Sequence, residues 1–195
     1  MPMNLANCLT ISRIPFLFSV VSLLYINCPG CASIALVLFI FCGLTDWLDG
    51  YFARKYKITS TLGVFMDALM DKIFMIGVMV ALLTLHILPK WALFFVLLVI
   101  AREFLVTTLR LIAATNNIVI PAHKSGKVKT VVQIVATGIL ILWFALGRDF
   151  GRWLRPNWIS WIYYVGILMF LYSVYLTISS GMFYLYRHRR LLRDN

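Results

Sequence analysis

The sequence predicts an all-α integral membrane protein: a bundle of six transmembrane helices preceded by a short amphipathic juxtamembrane helix. Three observations predict it. Of 195 residues, 62% are hydrophobic and only 13% charged, too few charges to cover the surface of a soluble domain of this length. The mean hydropathy is +0.91, so lipid is the solvent for most of the chain. The apolar residues also fall in six runs, each long enough to cross a bilayer with some tilt.

Taken in order, residues 4–12 (NLANCLTIS) are short and mixed in polarity, and read as a helix lying at the interface. Spans follow at about 13–27, 32–54, 61–86, 90–115, 126–147 and 157–186. The stretches between them carry turn chemistry: Pro29-Gly30, Lys55 to Ser60, Leu88-Pro89, Asn116 to Ser125 and Arg148 to Pro156. No cleavable leader is expected, because no basic region precedes the first apolar stretch and no small-residue cleavage site follows it. No internal repeat or soluble domain interrupts residues 1–195, which read as one membrane-embedded domain.

The net charge of +11 excludes little by itself. No basic-aromatic platform exists to bind nucleic acid. The cations cluster beside the apolar runs, as on a face apposed to anionic lipid. With an even number of spans, both termini share one side. That side collects Arg54, Lys55, Lys57, Lys124, Lys127, Lys129, Arg187, Arg189, Arg190 and Arg193. The other side holds Lys90, Arg148, Arg152 and Arg155. Both termini are therefore expected in the cytoplasm, with the arginines around Gly151 as the dissent.

Cys28-Pro29-Gly30-Cys31 has the spacing of a redox motif but lies in a turn between two apolar runs, with no βαβ pattern around it. A disulfide on an oxidising face is the stronger of its two functional readings. Cys8 and Cys42 read as small apolar packing residues. His86, His123 and His188 are scattered and have no metal-ligand spacing. Trp153, Trp158 and Trp161 fit an interfacial belt, and Arg187, His188, Arg189 and Arg190 fit lipid anchoring.

Chemistry is expected at the acids. Asp46, Asp49, Asp67, Asp71 and Glu103 lie within or at the ends of apolar runs, where an ionisable group is costly and usually functional. Asp46 and Asp49 are three apart, so they share a helix face, and Gly50 and Ala53 continue it with little side-chain bulk. Arg54 follows one turn on. Asp67 and Asp71 are four apart, with Gly63 one turn before them on the same stripe. Folding the loop between the two spans brings the carboxylate pairs face to face near the cytoplasmic surface. Four carboxylates together repel unless cations neutralise them. Hard oxygen donors suit Mg²⁺ or Mn²⁺, and two divalent ions would balance four charges. Such a pair serves phosphoryl transfer, with room beside Gly50, Ala53 and Gly63 for a substrate group and with Arg54 to clamp a phosphate.

The run Asp46-x-x-Asp49-Gly50-x-x-Ala53-Arg54, followed by Gly63-x-x-x-Asp67-x-x-x-Asp71, resembles the signature of the CDP-alcohol phosphotransferases. All eight specified positions are present, with the eight-residue gap between Arg54 and Gly63. Ala68 departs from the proline many relatives carry there, which affects local helix shape and no ligand. The resemblance implies transfer of the phosphatidyl group of CDP-diacylglycerol to an alcohol at a two-metal centre. Asp46, Asp49 and Asp67 would be metal ligands, and Asp71 ligand and general base. Gly50, Ala53, Arg54, Ser60 and Gly63 would line the CDP-diacylglycerol site, closed by Asn7, Thr10 and Arg13. It also implies a homodimer in the bacterial inner membrane, with its active site towards the cytoplasm.

Softer motifs extend the likeness: Asn7-x-x-Thr10-x-x-Arg13-x-Pro15, AREFLVTTLR at 101–110 and SGKVKT at 125–130. They resemble the branch whose acceptor is sn-glycerol 3-phosphate, which yields phosphatidylglycerophosphate and CMP. Arg110, Lys124, Lys127 and Lys129 are the candidates for the acceptor phosphate, against a reading of the lysines as a lipid-facing flank. Arg102 and Glu103 are adjacent and expected on different faces, where pairs with other spans would account for them. Two alternatives stay open: the same chemistry with inositol phosphate, serine or phosphatidylglycerol as acceptor, and a divalent-cation transporter. The transporter would need ligands at the midplane and repeated halves.

Overall fold

The computed structural model describes residues 5–56, 61–115, 124–151 and 156–187, with side chains over 13–45, 69–109, 128–151, 157–182 and at 186. Among them are six helices and no strand. They are α1 (Leu5–Tyr25), α2 (Cys31–Tyr56), α3 (Thr61–Thr84), α4 (Ala92–Thr115), α5 (Lys124–Asp149) and α6 (Pro156–Arg187). Every apolar run of the sequence is a helix, and each boundary falls at the expected turn chemistry. One expectation is modified. Residues 4–12 were read as a separate interfacial helix, whereas α1 runs unbroken from Leu5 to Tyr25 with Pro15 inside it. Proline withholds one backbone donor from the ladder. Ser19 Oγ donates to the Pro15 carbonyl at 2.8 Å, in a helix that is continuous through this point.

Among the described residues, three stretches are long and apolar enough to cross a bilayer: Ala92–Leu109, Val128–Asp149 and Asn157–Met182. Two shorter apolar helical stretches, Arg13–Tyr25 and Cys31–Thr45, precede them. The 24 residues of α4 make a rod about 36 Å long, against a hydrocarbon core of about 30 Å. The surface agrees with a lipid solvent. Phe94 is 71%, Trp158 69% and Leu168 66% exposed, exposures that would be costly in water.

The helices pack in a closed circuit, α3–α1–α2–α5–α6–α4 and back to α3, with α3 also touching α5 across the interior. This cross-contact divides the ring into two lobes. Leu24, Val78, Met79, Leu82, Leu140, Ile141 and Phe170 fill its core and are almost fully buried. Close packing between helices uses absent side chains. A Cβ on Gly166 of α6 would sit 2.8 Å from Leu140 Cδ2 of α5, the small-residue approach by which helices pack in lipid.

The α1–α2 turn is pinned from α5. Gly30 adopts φ +84°, a conformation glycine takes without penalty, and Cys28 and Cys31 are joined as a disulfide. Asp149 Oδ2 accepts from Ser33 N at 2.8 Å and from Ser33 Oγ at 2.6 Å, so the last residue of α5 caps the first turn of α2. Arg148 donates to the carbonyls of Leu24 (2.8 Å) and Ile26. The turn is thereby a structural clasp. Trp158 and Trp161 both point outward, 69% exposed each, while Trp153 and the cluster Arg187 to Arg190 lie outside the described side chains.

Candidate active site

α2 and α3 carry the aspartate signature on continuous helix: residues 46 and 49 on one, 67 and 71 on the other. The i, i+3 and i, i+4 spacings therefore act as helical spacings, and each pair shares a face. The side chains of Asp46, Asp49 and Asp67 lie outside the described residues, and Asp71 is described. It is partly buried on α3, the helix that divides the ring.

Asp71 lines two clefts, one in each lobe. The first, about 310 Å³, is walled by Arg13 of α1, Phe39, Cys42 and Gly43 of α2, Phe74 and Met75 of α3 and Ile134 of α5. Arg13 is only 6% exposed. A guanidinium buried among apolar helices needs an anion or a set of acceptors, and here it shares a cleft with a carboxylate. The second cleft, about 380 Å³, has Asp71, Lys72, Met75 and Ile76 on α3, Val99 and Glu103 on α4, and Thr130 and Gln133 on α5. Its walls are far more polar. Lys72 Nζ donates to Thr107 Oγ1 of α4, whose hydroxyl donates to the Glu103 carbonyl at 2.6 Å. Lys129 Nζ of α5 pairs with Glu103 Oε1, and Arg102 Nη1 reaches the same oxygen at 3.2 Å.

One reading of the sequence holds at this point and one changes. Arg102 and Glu103 were expected to pair with other spans, and they do, Arg102 with Ser180 of α6 and Glu103 with Lys129 of α5, while Arg102 Nη1 also donates to Glu103 Oε1 at 3.2 Å. Lys129 is no lipid-facing flank: it is 3% exposed and turned into the bundle. Arg110, Lys124 and Lys127 lie outside the described side chains, as do Asn7, Thr10, Gly50, Ala53, Arg54, Ser60 and Gly63. Among the described residues no three His, Cys, Asp or Glu side chains converge as metal ligands.

Sequence reasoning passed over Lys72, Thr130 and Gln133. A signal was present. Lys72 is a cation inside an apolar run, and Thr130 and Gln133 are three apart on an otherwise apolar helix, so they share a face.

The sequence profile of the CDP-alcohol phosphatidyltransferases matches residues 3–178. A Rickettsia typhi protein called CDP-diacylglycerol--glycerol-3-phosphate 3-phosphatidyltransferase is 33% identical over 183 residues, covering 93% of this chain and 94% of its own. Proteins of the same name match from Salmonella choleraesuis, 29% identical over the full length of both chains, and from Bacillus subtilis, 41% identical over 106 residues. That last match covers 54% of this chain and 53% of the relative. The chain belongs to the CDP-alcohol phosphatidyltransferase family, and is a transferase and a membrane protein.

Proposed function

We propose that the protein transfers the phosphatidyl group of CDP-diacylglycerol to sn-glycerol 3-phosphate, giving phosphatidylglycerophosphate and CMP. The observation that carries this reading is the position of Asp71, a single carboxylate lining two clefts of different character. A transfer between two substrates needs one point accessible to both, with the acceptor hydroxyl in line with the departing group. The cleft walled by α1 and α2, with Arg13, suits the CDP-lipid, whose diphosphate would also meet Arg54. The cleft with Lys72, whose wall residue Glu103 pairs with Lys129, suits an acceptor bearing its own phosphate, with Lys129, Arg110, Lys124 and Lys127 as candidate contacts.

The donor set fits two divalent ions: four carboxylates from two helices, hard and anionic, as Mg²⁺ or Mn²⁺ requires. Asp46, Asp49, Asp67 and Asp71 would hold them, and when bound they neutralise phosphate charge. Asp71 takes the proton from the acceptor hydroxyl at its carboxylate oxygen. The hydroxyl oxygen then bonds to the lipid-bearing phosphorus as the bond to the CMP oxygen breaks. Six membrane crossings, with both termini and the aspartates on the cytoplasmic side of a bacterial inner membrane, complete the reading. It rests on the family and on the distribution of basic residues. The family resemblance likewise supports a homodimer.

The test follows CMP release from CDP-diacylglycerol by purified protein with Mg²⁺ or Mn²⁺ and a panel of alcohols. Release with sn-glycerol 3-phosphate is expected. Release only with inositol phosphate, serine or phosphatidylglycerol would replace the acceptor. No release with any alcohol, together with metal flux into proteoliposomes, would favour a cation transporter.

A further inference from the structure

A carboxylate in the wall of a cleft meant for an anion is unexpected, because it should repel the ligand. Glu103 holds that position, beside Asp71, Lys72, Thr130 and Gln133. Its Oε1 is engaged from two sides, by Lys129 of α5 and by Arg102 of its own helix. Arg102 is fixed in turn on α6: Nη2 donates to Ser180 Oγ at 3.1 Å. The next residue is Gly181, where a Cβ would come within 2.8 Å of Arg102 Cγ. Only a glycine there lets the arginine lie along α6. The result is a chain of contacts, Gly181 and Ser180 to Arg102 to Glu103 to Lys129, that meets the polar cleft at Glu103.

A staple between two packed helices would look different. The backbone of α4 packs chiefly on α6 and lightly on α3, so the Glu103–Lys129 pair reaches across from α4 to α5 beside the cleft. Among the described residues, the charges near that cleft are Lys72, Arg102 and Lys129 against Asp71 and Glu103, a positive excess of one. Spending one negative charge there is reasonable if it fixes an ammonium that would otherwise take several rotamers. We infer that Glu103 is a positioning residue, which, backed by Arg102 of α4 anchored on Ser180 of α6, holds the Lys129 ammonium where it meets the phosphate of the acceptor. This inference rests on the phosphatidyl-transfer reading above.

The sign of one substitution separates this role from its rivals. Glu103→Gln removes a negative charge beside an anion site. If Glu103 were only a charged neighbour, the KM for sn-glycerol 3-phosphate would fall. If it positions Lys129, that KM rises, by about tenfold for the loss of one charge-assisted contact. The KM for CDP-diacylglycerol should stay within about twofold. Inorganic phosphate, used as a competitive probe against the acceptor, should weaken in parallel. Glu103→Asp, which keeps the charge, should recover part of the loss. Gly181→Ala, which displaces Arg102 without touching Glu103 or Lys129, should raise the same KM more mildly and serves if Glu103→Gln does not fold. A lowered or unchanged acceptor KM in both Glu103→Gln and Gly181→Ala, with wild-type turnover normal, overturns the inference alone. Absence of CMP release by the wild type overturns the transfer reading and this inference with it.

Discussion

Asp149 shows how one side chain can tie together elements far apart in sequence. It ends α5, where a negative charge is poorly placed against its own helix dipole, yet it sits at the amino end of α2, where the dipole favours it. Both Ser33 donors go to its Oδ2. Asp149→Ala should therefore lower stability by about 1–2 kcal/mol, as loss of a helix cap does. Thermal unfolding of the detergent-solubilised protein would measure it, with Asp149→Asn retaining part of the cap. The sequence contained no hint of this role. The residue stands outside the aspartate signature, and its partner is 116 positions away. The spacing of Asp46, Asp49, Asp67 and Asp71, by contrast, was legible because each pair lies on one continuous helix and needs no long-range information.

At the scale of elements, apolar runs and turn residues were enough to place all six helices, since a chain in lipid satisfies its backbone only within helices or closed barrels. What periodicity could not supply was the pairing of faces. The contact of α5 with α6 depends on Gly166, whose missing Cβ admits Leu140, itself 1% exposed and unable to swing aside. Gly166→Val should overpack this contact and destabilise the protein by about 1–3 kcal/mol. Gly147, with nothing within 4 Å of a Cβ, is the control. Gly147→Ala should leave the melting temperature unchanged or slightly raised. Equal melting temperatures for the two variants would show that the α5–α6 contact is looser than described. The unbroken α1 belongs to the same scale. Mixed polarity over 4–12 looked like a separate element, yet the polar residues are spread along one helix that also bears Arg13.

At the scale of the whole molecule, the ring divided by the α3–α5 contact makes two clefts and gives Asp71 to both. Sequence alone could name the acids and suggest cations for the acceptor, but that Lys129 turns into the bundle depended on tertiary packing. Lys129 turns inward to Glu103, a wall residue of the polar cleft that Lys72 also lines. The division of the bundle into a less polar cleft with Arg13 and a polar one with Lys72 is the feature that makes a two-substrate transfer intelligible.

The most direct measurement follows label from sn-glycerol 3-phosphate into the organic phase, with purified protein, CDP-diacylglycerol and Mg²⁺. The wild type should incorporate label in step with CMP release and stop when a chelator removes the metal. Asp71→Asn should lower the rate by at least about a hundredfold, the lower range for a general base, while CDP-diacylglycerol binding stays measurable. Incorporation by Asp71→Asn at close to the wild-type rate, or wild-type incorporation that persists without divalent metal, would contradict the account.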